Sequence, residues 1–273
     1  MVSCTAKKGN SPVLFEISSD NSTLYILGSI HTSDDSIYPL PNYVMSRFKN
    51  SSKLVMEIKP KSDSSAVIQN KYYQGDDNIS NHVSEKTYNL IKEYSEDIGI
   101  PLSILASKRP YRLISFIETD ELKRGGFISQ KGIEGNFHYE ANKSNIEIDG
   151  FESYEEILAA TNKVDSNELE NMLVEVLETR DQSTEKMEEM LLKWREGDLS
   201  YFEKFVEEHF SKYPTFYESV IKNRNLKIVN KMETFLTKKQ NIFVTIGLEH
   251  LVGDENVISL LKSKGYEVKI ITE

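Results

Sequence analysis

Two strings of the same form, Gly28-Ser29-Ile30-His31 and Gly247-Leu248-Glu249-His250, stand near opposite ends of this chain. Each follows an apolar, strand-prone run, Leu24–Leu27 before the first and Ile242–Ile246 before the second. A strand fixes the position of the residues that follow it, and a glycine lets the backbone turn sharply and leaves space beside the histidine. The pattern therefore predicts that the two ends of the chain meet at one site.

The G-x-x-H string alone is a weak signal, because three of the five histidines carry it. The third copy, Gly135-Asn136-Phe137-His138, has no apolar run before it and lies at the start of a predicted helix. The strand before each outer copy therefore carries most of the evidence. The alternative is that His31 and His250 are unrelated histidines in two turns.

Composition limits the class of protein. The 273 residues suffice for one large domain or two small ones, and 38% apolar with 28% charged residues indicates a core with a well-solvated surface. A net charge of −10 argues against a nucleic-acid partner, which needs a basic surface, and against docking on anionic lipid. No apolar run approaches the roughly 18 residues that cross a membrane.

The one cysteine, Cys4, excludes an internal disulfide. Met1-Val2-Ser3-Cys4 resembles the end of a bacterial lipoprotein signal, and residues 1–12 would then form an N-terminal tether. No basic or apolar signal region is present, so a signal peptide would have to precede this sequence. We therefore predict an extracytoplasmic lipoprotein with a lipid anchor on Cys4. A cytoplasmic protein with an ordinary cysteine is the alternative.

The apolar pattern predicts strands at both ends of the chain and a helical middle. The predicted strands are 13–17, 23–27, 53–58, 145–151, 242–246 and 267–271. The predicted helices are 42–49, 84–98, 101–123 with a break near Pro110, 135–143, 152–212, 215–236 and 255–264. This order favours an α/β fold, with α+β as the alternative. The N- and C-terminal segments would form a central mixed sheet, and residues 152–236 a mostly helical insertion, in one domain over residues 13–273.

Three glutamates and one arginine are candidates for chemistry at such a sheet. Glu57 closes a strand, Glu134 follows Gly132-Ile133, and Glu152 follows the strand that ends at Phe151. A carboxylate at a strand end of an α/β fold commonly faces the ligand crevice, although each alone is also explained as a surface or ion-pair residue. Arg224 would stabilise an oxyanion or bind a carboxylate, unless it is an exposed helix residue.

Two imidazoles with carboxylates suit a divalent transition metal such as Zn²⁺, Mn²⁺ or Co²⁺. Such an ion makes hydroxide available near neutral pH by lowering the pKa of its bound water. The sequence contains no H-E-x-x-H, G-x-S-x-G, C-x-x-C or Walker string, which argues against the common zinc proteases, serine hydrolases and P-loop proteins.

A series of strings in fixed order carries a family resemblance. They are Leu27–His31 with Tyr38–Pro41 and Leu54–Glu57, then Gly132-Ile133-Glu134 with Phe137 and Ala141, Ile148–Glu152, Trp194–Asp198, Arg224-Asn225, Val244–His250 with Leu251 and Gly253, and finally Gly265–Val268. Together they resemble the TraB/PrgY/GumN family, which includes the Tiki proteases and is similar in fold to erythromycin esterase and ChaN-like proteins. The resemblance covers nearly the whole chain from Leu14 onward.

The resemblance implies a metal-dependent protease. It implies that His31, His250 and Glu57 hold the metal, with Glu57, Glu134 and Arg224 as catalytic residues. The family often has Asp where Glu134 stands, and a longer polar motif where Glu152 stands, so Glu57 is the better-supported carboxylate. The family that this chain resembles also includes pheromone-shutdown factors, for which catalysis is not demonstrated, so membership alone does not establish activity.

We therefore predict a metal-dependent hydrolase, most readily a peptidase that acts on a peptide or protein. A carboxylate would serve as general base, and Arg224 would stabilise charge on the carbonyl oxygen. One alternative is a non-catalytic protein that binds a peptide or haem in the same crevice. Another is a metal-free esterase with a histidine base.

Overall fold

The computed structural model describes residues 11–59 and 71–272, so Cys4 and most of the predicted tether lie outside the described residues. Its centre is one six-stranded sheet with the order β4-β3-β5-β2-β1-β6. The strands are β1 Leu14–Ser18, β2 Thr23–Ser29, β3 Lys53–Ile58, β4 Glu147–Glu152, β5 Asn241–Gly247 and β6 Val268–Ile271. The predicted mixed sheet with surrounding helices is confirmed.

The sheet is mixed because β1 is antiparallel to both of its neighbours, whereas β2, β3, β4 and β5 are parallel to one another. Strand β5 from the C-terminal region lies between β2 and β3. The central strands are buried on both faces, which explains why Leu54, Val55 and Met56 are all apolar. Both chain ends thus contribute to the middle of the sheet, as the G-x-x-H pattern predicts.

Local sequence signals explain where several helices begin and end. In the described part of the chain, the helices of eight or more residues are α1 Asn42–Lys49, α2 Glu85–Ile98, α4 Pro110–Arg124, α5 Ile133–Ser144, α6 Tyr154–Thr161, α7 Ser166–Thr179, α8 Ser183–Glu196, α9 Leu199–Phe210 and α10 Asn223–Leu236. The shorter ones are α3 Leu102–Ala106, α11 Val257–Ser263 and the single α-helical turn Pro214–Phe216. The Ser84 side chain accepts a hydrogen bond at the start of α2, and Gly99 ends that helix with φ 68°. The predicted helical stretch 152–212 is four separate helices, α6 to α9.

Buried apolar side chains form two clusters that share the partly buried Phe210. The larger surrounds the sheet and includes Met187, Leu191 and Trp194 of α8, so this stripe belongs to the core. The smaller lies among α2, α4 and α7. The indole Nε1 of Trp194 donates a 2.8 Å hydrogen bond to the carbonyl of Gly28, which attaches α8 to the end of β2.

Among the described residues, no helix combines the length and the apolar character needed to cross a bilayer. The assignment of residues 13–273 to a single domain and the lipid anchor on Cys4 stay predictions.

Candidate active site

The candidate site lies at the edge where the four parallel strands end. In the register of β2 and β5, Ser29 is opposite Gly247, so the two G-x-x-H strings leave the sheet side by side. Glu57 lies near the end of β3, next to β5, and Glu152 ends β4. Because carboxyl ends of parallel strands share one edge, residues far apart in sequence converge there.

His31 is held by Glu134. The Nδ1 of His31 is hydrogen-bonded to Oε2 of Glu134, and the negative charge of Glu134 is the main reason why the pKa of His31 is raised well above 6.5. Its Nδ1 donates its proton to Glu134, so Nε2 is the nitrogen left for another partner, and a metal ion that binds there has to displace the Nε2 proton. The His31 side chain is 58% exposed, so the imidazole is anchored at one nitrogen and accessible to solvent.

Gly132 explains how Glu134 reaches His31. The amide of Ile133 donates a 3.1 Å hydrogen bond to the carbonyl of Ile30, which seats the start of α5 directly against the first G-x-x-H string. A Cβ on Gly132 would lie 2.1 Å from the backbone oxygen of His31. No larger residue fits between these two backbones.

We expect Gly132→Ala to separate α5 from the His31 loop. The clash with a backbone oxygen should lower the free energy of unfolding by about 1–3 kcal/mol, as overpacking does elsewhere. The weakened pair with Glu134 should also bring the pKa of His31 back toward 6.5. Urea unfolding and NMR titration of His31 measure the two effects, with the exposed Ser129→Ala as control. Parental stability together with a parental His31 pKa would contradict this account.

Glu57 is buried and held on both oxygens. Its Oε2 accepts a 3.2 Å hydrogen bond from the amide of Gly247, and its Oε1 accepts one from Nη2 of Arg224. Burial by itself would raise the pKa of Glu57, but the interactions with His250, Arg224 and His31 outweigh it and hold the pKa well below 4.5. Glu57 is therefore an ionised carboxylate at neutral pH.

Arg224 lies between two buried carboxylates. Its Nη2 donates to Glu57, its Nε donates to Oε2 of Glu152 over 2.7 Å, and its Nη1 donates to the carbonyl of Val220 over 2.9 Å. Burial would lower the pKa of Arg224, but the two glutamates raise it instead. A π-helical stretch, Tyr217–Lys222, directly precedes α10, and such stretches are frequent at functional sites. The alternative of an exposed helix arginine is wrong, since the residue is 4% exposed.

His250 is fully buried and held by Asn225. Its Nδ1 lies 2.6 Å from Oδ1 of Asn225, whose Nδ2 donates a 3.0 Å hydrogen bond to the carbonyl of Glu255. Since that second bond orients the amide, Nδ1 of His250 is the donor to Asn225, and Nε2 is the ring nitrogen that faces Glu57. Among the described residues, Nε2 has no hydrogen-bond partner, and it lies 3.8 Å from Oε1 of Glu57.

Glu249 is the site residue that the sequence analysis missed. His31, Glu57 and Glu249 each offer one ligand atom, and these atoms lie within 4.8 Å of one another. A Cβ on Gly247 would lie 2.4 Å from Oε1 of Glu249, so the glycine leaves room for this carboxylate. The available signal was the position of Glu249 inside the second G-x-x-H string.

The donors fit a divalent transition metal. Imidazole nitrogens and carboxylate oxygens bind Zn²⁺ and similar ions at roughly 2.0–2.2 Å, so donors to one ion lie a few ångströms apart. The buried, unpartnered Nε2 of His250 is the kind of atom that such an ion satisfies. The predicted ligands His31, Glu57 and His250 thus lie at one edge of the sheet, although the three-donor cluster contains Glu249 rather than His250.

Other candidates surround this group or lie outside it. Glu134 and Arg224 contact the cluster residues, and Glu152 contacts Arg224. His138, the third G-x-x-H histidine, has its ring nitrogen 3.3 Å from Nδ2 of Asn142, one turn along α5. His138 is not part of the cluster, as expected for the one G-x-x-H copy that no strand precedes.

The lowered pKa of Glu57 predicts how the free energy of unfolding depends on pH. Because the folded value lies well below the ordinary 4.5, the stabilisation from Glu57 is fully present above pH 4.5. It is lost as the pH falls from there through the folded value. We expect Glu57→Gln to be less stable at neutral pH and to lose stability less steeply in acid. Urea unfolding across this pH range tests the expectation, and equal steepness in both proteins would contradict it.

Comparison with known proteins identifies the family of this chain. The profile of the TraB/PrgY/gumN family matches residues 13–270. The uncharacterized protein YbaP of Escherichia coli strain K12 is 19% identical over 242 residues, which cover 89% of each chain. No solved structure shows a significant match to this chain. Since the family profile spans almost all of the described sheet and helices, this chain belongs to the TraB/PrgY/gumN family.

Proposed function

We propose that this protein is a metal-dependent hydrolase that acts on peptides. The observation that carries the proposal is the buried, unpartnered Nε2 of His250, directed toward Glu57 beside the cluster of His31, Glu57 and Glu249. Imidazole nitrogens and carboxylates at one strand edge are the donor set of a hydrolytic transition-metal site. The bound ion would be Mn²⁺, Co²⁺ or Zn²⁺, and it would supply hydroxide near neutral pH.

We choose the metal ligands among the site residues by asking which side chains a second residue holds in place. His31 is anchored by Glu134, His250 by Asn225, and Glu57 by Arg224 and the amide of Gly247. Metal ligands in proteins are commonly oriented by such outer hydrogen bonds, which also fix the histidine tautomer. We therefore assign His31, His250 and Glu57 to the metal.

Glu249 is suited to accept the proton of the attacking water. Its ligand atom lies within 4.8 Å of those of His31 and Glu57, and it makes no hydrogen bond or ion pair within the described part of the chain. A carboxylate that is close, partly exposed and free to rotate can act as a general base. Arg224 has its donors committed to Glu57, Glu152 and Val220, so we assign it to holding Glu57 rather than to the substrate carbonyl.

Metal analysis of the purified protein, together with cleavage of a peptide library, tests the proposal. We expect about one equivalent of metal, loss of cleavage on chelation and recovery on re-addition of the ion. Glu249→Gln should keep the metal and lower turnover by about 10²–10⁴-fold, the range typical of a lost general base. The control is Glu147→Gln, at the start of β4 and thus at the opposite edge of the sheet.

Three outcomes separate this proposal from its alternatives. Cleavage that survives exhaustive chelation would favour a metal-free esterase. No turnover with any of the three metals, together with saturable binding of peptide or haem, would favour a non-catalytic binding protein. Full turnover by Glu249→Gln would overturn the assignment of the base.

A further inference from the structure

A small cavity lies between α4 and α6, next to the candidate site. Its volume is about 40 Å³, and its lining includes Lys71, Arg109, Tyr111, Arg112, Ser115 and Tyr154. Three of these side chains are cationic, although the chain as a whole has a net charge of −10. Positive charge is thus concentrated at one point of an acidic protein.

The two arginines of this cavity lack ion-pair partners among the described carboxylates. Neither Arg109 nor Arg112 forms an ion pair with a described carboxylate, and the buried Nε of Arg112 has no hydrogen-bond partner there. Lys108 is a further neighbour, since burial and then the charge of Arg112 lower its pKa. A buried guanidinium donor without an acceptor is unfavourable, so the Nε of Arg112 is a position for a ligand acceptor.

Aromatic rings hold two of the cations at the cavity. The ammonium of Lys71 lies 4.1 Å from the ring centroid of Tyr154, and the guanidinium of Arg109 lies 5.3 Å from that of Tyr73. The ring contact orients the guanidinium of Arg109 without neutralising its charge. The cavity therefore presents preorganised positive charge, together with the hydroxyl of Ser115 as a further hydrogen-bonding group.

The cavity adjoins the buried pair of Arg224 with Glu57 and Glu152. Tyr154 begins α6 two residues after Glu152 ends β4. The ring centroid of Tyr111 lies 6.4 Å from that of Phe216, which directly precedes the π-helical stretch before Arg224. A molecule held in the cavity would therefore lie against the elements that position Arg224 and Glu152.

The size and the donors of the cavity indicate the ligand. One water molecule needs about 10–15 Å³ of such cavity volume, so this cavity admits a group of only a few heavy atoms. Guanidinium groups with a hydroxyl are a strong hydrogen-bonding set for a carboxylate. We propose that the cavity binds the free C-terminal carboxylate of a peptide, and that the enzyme therefore prefers bonds close to that terminus. This inference rests on the proposed function for its catalytic part and on the cavity alone for its binding part.

Calorimetric titration of the His31→Ala protein tests the binding part without any turnover. The ligands are one short peptide as the free acid and the same peptide as the C-terminal amide. We expect the acid to bind about tenfold more tightly or better, as a charge-assisted pair would give. Adding Arg112→Gln should abolish this preference, whereas adding Arg124→Gln, at the other end of α4, should leave it unchanged. If Arg112→Gln fails to fold, Arg109→Gln gives the same comparison.

Equal affinity for acid and amide, or a preference that survives both Arg112→Gln and Arg109→Gln, would overturn the inference. Arg112-dependent binding of inorganic phosphate, with acid and amide bound alike, would assign the cavity to a phosphate group and would equally overturn it. A preference for the acid in a protein that hydrolyses no peptide with any metal would refute the proposed function and retain the carboxylate site. The two failures are thus distinguishable.

Discussion

Alanine at His31 or at His250 is expected to weaken metal binding by more than about 100-fold and to remove peptide hydrolysis. Loss of an outer hydrogen bond alone commonly lowers metal affinity 10–100-fold, and loss of a ligand removes more. Glu134→Gln keeps the imidazole of His31 but weakens its anchor, so it should fall in the 10–100-fold range. Competition with a chromogenic chelator measures the affinities, and cleavage of a peptide library measures the activity.

His138→Ala is the matched control for this pair, because His138 has the same G-x-x-H string but lies outside the cluster. It should bind metal and turn over substrate as the parent does. Parental metal affinity in both His31→Ala and His250→Ala would refute the metal site. An effect of His138→Ala as large as theirs would show that the loss comes from the fold rather than from the site.

The second large effect concerns Arg224. We expect Arg224→Met to lower the free energy of unfolding by about 3–5 kcal/mol, because it leaves Glu57 and Glu152 buried without their shared counter-ion. Urea unfolding measures this loss. Arg124→Met removes a half-exposed surface pair with Asp120 and should change stability by less than about 1 kcal/mol.

A triple variant separates lost charge pairing from lost packing. Adding Glu57→Gln and Glu152→Gln to Arg224→Met removes the two unpaired charges, so much of the lost stability should return. Failure to recover would mean that the packing of the guanidinium stem, rather than its charge, stabilises this part of the core. Arg224→Met with parental stability would contradict the whole account of this group.

The strands, and the meeting of His31, Glu57 and His250 at one edge of the sheet, follow from local sequence patterns. Runs such as Leu24–Leu27 and Ile242–Ile246 are apolar and are followed by glycine, so the position of each strand and its end to within two residues are readable in the sequence. Parallel pairing then places His31, Glu57 and His250 at one edge. That convergence needs only the strands and their order, which is why sequence reasoning could anticipate it.

The remaining contacts depend on how separate elements pack. Glu134 reaches His31 only because Gly132 lets two backbones touch, and nothing around Glu134 in the sequence signals that contact. The direction of Arg224 depends on the π-helical stretch before it, whereas helical periodicity assumes a regular turn. Glu249 has no pattern of its own, and the basic cavity forms between helices that are not neighbours in the chain.

The hydrogen bond from Trp194 to the carbonyl of Gly28 gives the molecule a built-in optical probe. Trp194 is the one tryptophan of the chain, it is 4% exposed, and its bonded partner lies three residues before His31. Indole emission depends on the polarity and hydrogen bonding around Nε1, so the intrinsic fluorescence of this protein arises at the base of the first histidine loop. Ligand binding or loosening at that loop should therefore be readable from the emission of the unlabelled protein.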